Sequence, residues 1–224
     1  MTQLEHELQS VKVELIGMWS LVESQLKKTR TAMVLFDRDL AREVSMKEKR
    51  VNAFELKIDR DCENIFALYC PVAIDLRFLL AVLKINTNLE RIGDIADGIS
   101  KYIIEALENF DEDLFAKTEV IKMFDDAISM LADTRISFEK DDTTLARSIF
   151  QRDEVLDDIN YAAIDRISNA IAEDLTVMHD ALYVLSIIRK LERVGDQTKN
   201  IAEEIIFFVE AKVLKHHQET QRKP

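Results

Sequence analysis

The sequence predicts an all-α fold made of two tandem, internally duplicated antiparallel three-helix bundles, six long helices in all, and three observations carry that prediction. Its 224 residues include only four glycines and two prolines, too little turn chemistry to break up a sheet, whereas long helices need none. Apolar residues recur near every 3.6 positions through almost the whole chain. Finally, LERIGD at 89–94 returns as LERVGD at 191–196, an offset of 102. At that offset the segments 82–103 and 184–205 are identical at 10 of 22 positions, where average residue usage gives about one or two. The chain is a duplication of one helical unit.

The elements follow in order. A first helix opens near residue 3 and stops at Asp37 to Asp39, which also supply the cap of the second. Pro71 suits the first turn of the third, where its missing N–H removes no hydrogen bond. These helices make a first bundle over 3–108. After Asp111, Glu112 and Asp113 a fourth helix runs to about Glu139, the cluster Asp141 to Thr144 caps a fifth, and Glu173 to His179 turns into a sixth. The second bundle then spans 112–214. LAR at 40–42 reappears at 145–147, an offset of 105, so the first half carries three extra residues in the connection between its second and third helices. Connections this short force antiparallel neighbours. Residues 215–224 lose all periodicity and are expected to form a disordered tail.

Composition excludes several function classes. A net charge of −12 argues against nucleic-acid binding, which needs Lys and Arg to replace counterions on phosphates, and suits cations or basic partner surfaces instead. The polar, acidic start MTQLEHELQS is unlike a secretion signal, so a cytoplasmic location is expected. The longest apolar run, FLLAVL at 78–83, lies between Arg77 and Lys84 and is far short of a membrane span. Cys62 and Cys70 lie too far apart along a helix to bridge and lack a CxxC partner for zinc, so they read as small core residues or free thiols.

The candidate chemistry sits on the third and sixth helices. Glu90 and Asp94 are four residues apart, about 40° around the axis, and Glu192 and Asp196 repeat them. Beside each pair runs an apolar stripe: Leu89, Ile92, Ala96, Ile99 and Ile103 in one copy, and Leu191, Val194, Ile201 and Ile205 in the other. Like charges at this spacing weaken a helix unless something compensates, and a bound cation would. Gly93 and Gly195, half of the chain's four glycines, mark a place where a helix or a ligand approaches closely. Arg91 and Arg193 are expected to clamp carboxylates on a neighbouring helix, with phosphate contact as the minority reading. On the second and fifth helices Asp153 and Asp157 form a further acidic pair, and Glu48 with Asn52 is its weaker counterpart. Oxygen-only donors suit Mg, Mn, Ca or iron rather than structural zinc.

LERIGD and LERVGD, PVAIDLRFLL at 71–80 and ELIGM at 14–18 together resemble the PhoU family of phosphate-signalling proteins over nearly the whole chain. That resemblance implies two tandem three-helix bundles with E(D)xxxD motifs. It also implies metal binding, often multinuclear iron or other ions such as Mn or Mg, by Glu90, Asp94, Glu192 and Asp196, joined by Asp153, Asp157 and Glu48. It implies a cytoplasmic negative regulator without turnover, reaching the membrane only through the ATPase of a phosphate ABC transporter and a sensor histidine kinase. Asn52 and Gly98 depart from the family pattern, so the second copy is expected to hold metal more completely. Two other readings are a helical scaffold whose acids only form salt bridges, and a di-iron carboxylate enzyme. The enzyme lacks its ExxH pairs, and no nucleophile with a base or glycine phosphate loop is evident. His179 aligns with Arg77 and is expected to cap or contact the start of the sixth helix. A homodimer is compatible with the sequence, because an apolar face covered by a second copy looks the same as a buried one.

Overall fold

The structure, a computed structural model, describes residues 2–214, so the expected tail lies outside the described residues. Three long helices, α1 (Gln3–Leu35), α2 (Arg38–Tyr69) and α3 (Ala73–Glu105), make the first half. The second half contains α4 (Glu112–Thr118), α5 (Val120–Lys140), α6 (Thr143–Glu173), a 3₁₀ turn over Leu175–Val177 and α7 (Met178–Glu210). At 33 residues, α1, α3 and α7 are each about 50 Å long.

Local chemistry explains most helix ends. Thr2 and Glu5 form a capping box at the start of α1. Asp37 accepts from the N–H groups of Asp39 and Leu40 to open α2, and Asp142 does the same for α6 from Thr144 and Leu145. Phe36, Cys70 and Asp141 take left-handed conformations at the preceding ends. Pro71 does not enter the first turn of α3 as expected; the helix begins at Ala73, with Val72 as N-cap, and Pro71 is buried just outside it.

The predicted fourth helix is two helices. Glu119 breaks it with φ of 59°, a conformation that a non-glycine residue holds only with support. Thr118 bonds back to the Leu114 carbonyl at 2.7 Å, while Arg166 of α6 donates to the Thr118 carbonyl at 3.3 Å and pairs with the Glu119 carboxylate. The break rests on a contact from a distant helix, and neither Gly nor Pro announces it.

Both halves share one continuous core. All nine residues of the two predicted stripes beside LERxGD are fully buried. The helices α3 and α7 run antiparallel against each other: Phe78 meets Phe208, Lys84 meets Glu204, Gly98 meets Lys190 and Tyr102 meets Tyr183. In this order the two LERxGD segments cross at the middle of the seam, related by a pseudo-two-fold axis. Trp19 on α1, fully buried, reaches across to α5, where its Nε1–H donates to the Leu131 carbonyl at 3.2 Å and its ring lies 5.8 Å from Phe138.

Candidate metal centre

Each LERxGD segment lays its carboxylates against the preceding helix of its own half. In the first row, Glu90 is half-buried and Asp94 exposed on α3, facing Glu55 of α2. Burial, then the charges of Asp94 and Glu55, push the Glu90 carboxyl up to about 7. Burial with Asp59 and Asp94 also raises Glu55. An acid whose folded value lies above its unfolded one makes the native state lose stability as pH rises from about 4.5 through about 7. A cation placed among these groups would offset that loss. Glu48 stands to one side: it accepts from Asn52 Nδ2, and its charge is felt at Lys101. Glu55 and Asp59 were not singled out in the sequence, although Glu48, Asn52, Glu55 and Asp59 follow i, i+4, i+7, i+11 spacing along one face of α2.

The second row brings together all four predicted carboxylates. Burial and then Asp196, Asp157 and Asp153 raise Glu192. Asp153 is only 3% exposed. A residue absent from the sequence expectation completes this row: Lys199 donates to Asp153 Oδ2 at 2.5 Å and to Asp196 Oδ1 at 3.2 Å. Burial raises Asp153 and the ammonium lowers it, while both carboxylates hold Lys199 charged, so the pair is ionic. At the 102 offset Lys199 replaces Asp97, which visibly distinguishes the copies in sequence. The second row therefore holds four acids and a tethered cation.

The repeated glycines are explained by helix packing. A Cβ on Gly195 would stand 2.7 Å from Asp153 Oδ1 and 2.8 Å from Leu156 Cδ2, whereas on Gly93 it would meet Val51 Cγ1 at 3.2 Å. Gly195→Ala is expected to destabilise the protein by about 1–2 kcal/mol, overpacking exceeding the roughly 1 kcal/mol gained in helix propensity. Gly93→Ala should stay within about 1 kcal/mol of the parent, because only one methyl must give way. Urea denaturation of both variants checks the contrast, and equal midpoints would refute it.

Other predicted groups are more ordinary. Cys62 is buried and its thiol is pushed up to about 12, chiefly by burial, and Cys70 is an exposed free thiol. His179 lies in the first turn of α7, edge-on to Tyr183 at 4.8 Å. Arg91 and Arg193 do not clamp carboxylates: both are exposed and enter no ion pair among the described residues. They converge instead on the α3–α7 seam.

Fold and site together define an internally duplicated all-helical protein in which each copy sets a carboxylate row across a helix–helix contact. The PhoU domain family matches residues 15–103 and again 120–205, and the chain belongs to that family. The phosphate-specific transport system accessory protein PhoU of Escherichia coli (strain K12) is 32% identical over 214 residues, covering 96% of this chain and 88% of the relative. The corresponding homolog of Pseudomonas putida is 33% identical, covering 96% and 83%. The crystal structure of PhoU from Pseudomonas aeruginosa superposes with a TM-score of 0.89 at 30% identity, covering 94% of this chain and all of that one. That of the phosphate transport system regulatory protein PhoU from Streptococcus pneumoniae gives 0.85 at 28% identity, covering 95% and 99%.

Proposed function

We propose that this chain is a non-enzymatic accessory regulator of a phosphate-specific transport system and that its first carboxylate row responds to a metal ion. The observation supporting the regulatory reading is the match of one family to both halves, with relatives named as accessory or regulatory proteins of phosphate transport. In this reading the protein acts in the cytoplasm on the transporter's ATPase and on a sensor histidine kinase, restraining uptake and starvation signalling when phosphate is plentiful. No helix among the described residues is long and apolar enough to cross a membrane. The net charge of −12 favours docking on basic partner surfaces.

The donor chemistry of the first row fits a hard cation, Mg, Mn or iron. Glu90, Asp94 and Glu55 would hold it, and the ion would neutralise their mutual repulsion and tie α2 to α3. As placed, no three His, Cys, Asp or Glu side chains among the described residues converge on one point, so these carboxylates must turn inward to share an ion. In the second row Glu192, Asp196, Asp153 and Asp157 have the same chemistry, but Lys199 already bridges two of them. That bridge favours a structural reading for the second row: a salt-bridged scaffold whose cation is built in.

Deleting the gene is expected to switch on phosphate-starvation expression in phosphate-replete medium. Unchanged expression, with no protein retained by membranes carrying the transporter and kinase at high or low phosphate, would refute the regulatory reading. Protein purified without tag or chelator should contain metal that Glu90→Gln with Asp94→Asn largely removes. Metal content indifferent to that pair would refute the metal reading alone.

A further inference from the structure

Towards one end, the seam between α3 and α7 opens into a cleft of about 300 Å³ lined by Arg91, Asp94, Asp97, Lys101, Lys190 and Arg193, with Gly98 among them. Four cations line it with two carboxylates, a net positive site on a strongly acidic protein, and such a site attracts an anion. Of the cations, Lys101 is taken by Asp97 Oδ2 at 2.6 Å. Arg91, Arg193 and Lys190 enter no ion pair among the described residues. Lys190 lies 5.5 Å over the Tyr102 ring.

The pseudo-two-fold axis supplies an internal comparison. The cleft at the other end of the seam, about 390 Å³, shares Arg91 and is lined by Asn88 and Asn200, which are the 102-offset counterparts of Lys190 and Gly98. Its lysine, Lys84, is neutralised by both oxygens of Glu204 at 3.0 Å. Only the first cleft sets a lysine against a glycine. A Cβ on Gly98 would stand 2.7 Å from Lys190 Nζ, so the loss of the side chain at 98 is what lets the ammonium lie in the cleft. Asp97, 8% exposed, adds an acceptor: its Oδ1 is buried and has no hydrogen-bond partner among the described residues.

From this arrangement we propose that the cleft is a binding site for hydrogen phosphate, with Arg91, Lys190 and Arg193 donating to its oxygens and the Asp97 carboxylate accepting a hydrogen bond from its remaining O–H. Guanidinium groups from two antiparallel helices and the Lys190 ammonium line one cleft, a set of many charged donors that suits an oxyanion. The carboxylate distinguishes hydrogen phosphate, which carries a proton at neutral pH, from sulfate, which does not. The site borders the first carboxylate row at Asp94, and it stands whether or not the regulatory reading holds.

Titration calorimetry of the intact chain at fixed ionic strength tests this with inorganic phosphate, sulfate and ATP as probes against chloride. Saturable phosphate binding is expected, at least about tenfold tighter than sulfate. Lys190→Asn and Arg193→Gln should each weaken it about tenfold or more, and Gly98→Asn should do the same by displacing the ammonium. Asn88→Ala, in the other cleft, should leave it unchanged. Should Gly98→Asn fail to fold, the lysine and arginine variants, checked for an unchanged thermal midpoint, carry the result. Phosphate affinity that survives Lys190→Asn and Arg193→Gln, sulfate bound as tightly as phosphate, or binding of ATP but not inorganic phosphate through these residues would each overturn the assignment.

Discussion

Trp19→Ala is expected to cost about 3–5 kcal/mol, near the largest effect a single truncation produces, because it removes a fully buried indole from the place where the two halves meet. The side chain packs on Phe138, and its N–H is satisfied by the Leu131 carbonyl at 3.2 Å, so its loss leaves a cavity between α1 and α5. For a chain of this length the thermal midpoint should fall by roughly 10 °C. Trp19→Phe keeps most of the volume and should cost no more than about half as much, since Leu131 also accepts from Thr134 Oγ1 at 2.8 Å and is not orphaned. Trp19 is the only tryptophan, so its fluorescence reports this contact alone. In the parent protein, fluorescence and far-UV circular dichroism should follow the same urea transition, because both halves share one core. Separate transitions, or a Trp19→Ala variant as stable as the parent, would show that the halves stand independently.

Lys199→Met should have the second large effect. It leaves Asp153, 3% exposed, without its ammonium and beside Asp157 and Asp196. Breaking a buried pair typically costs about 3–5 kcal/mol, and with a quarter of the Lys199 side chain exposed the lower end, about 2–3 kcal/mol, is expected. The pH dependence has a definite sign. Burial already raises Asp153 above its usual range, and removing the cation raises it further. An acid with a raised folded value contributes stability below its unfolded value that is lost as pH climbs through the folded one. The deficit of the variant should therefore be deepest at neutral pH and shrink towards pH 4. Added Mn²⁺ or Mg²⁺ should raise its melting temperature more than the parent's by restoring a cation to the row. A deficit equal at pH 5 and pH 7.5, with no response to divalent ions, would show that Asp153 is not the charge exposed.

What could be read from the sequence was local. The apolar stripes beside LERxGD and the caps at Asp37 and Asp142 depend on residues within about one turn of each other, and both appear as expected. The acidic pairs were visible because helical periodicity alone sets Glu90 near Asp94 and Glu192 near Asp196. Their partners were not, because whether Glu55 faces Glu90 depends on how α2 is turned against α3. Lys199 was plain in the sequence three residues after Asp196, yet its stronger contact, Asp153, lies 46 positions away on another helix. The kink at Glu119 escaped for the same reason, its support coming from Arg166 on α6. Gly98 read only as a departure from pattern until Lys190 was seen lying against it.

The antiparallel crossing of the two LERxGD segments has a consequence for ancestry. A half-length chain carrying one copy would meet a second copy of itself along the same seam, residue i on j and j on i, which is the geometry of an isologous homodimer. Fusing two such chains would preserve the interface and free its two sides to differ. Lys190 where the first copy has Asn88, and Gly98 where the second has Asn200, are differences that a symmetric dimer could not have kept, because each change would have appeared in both clefts at once. Substitutions that make the two copies match again would restore that dimer's symmetry within a single chain.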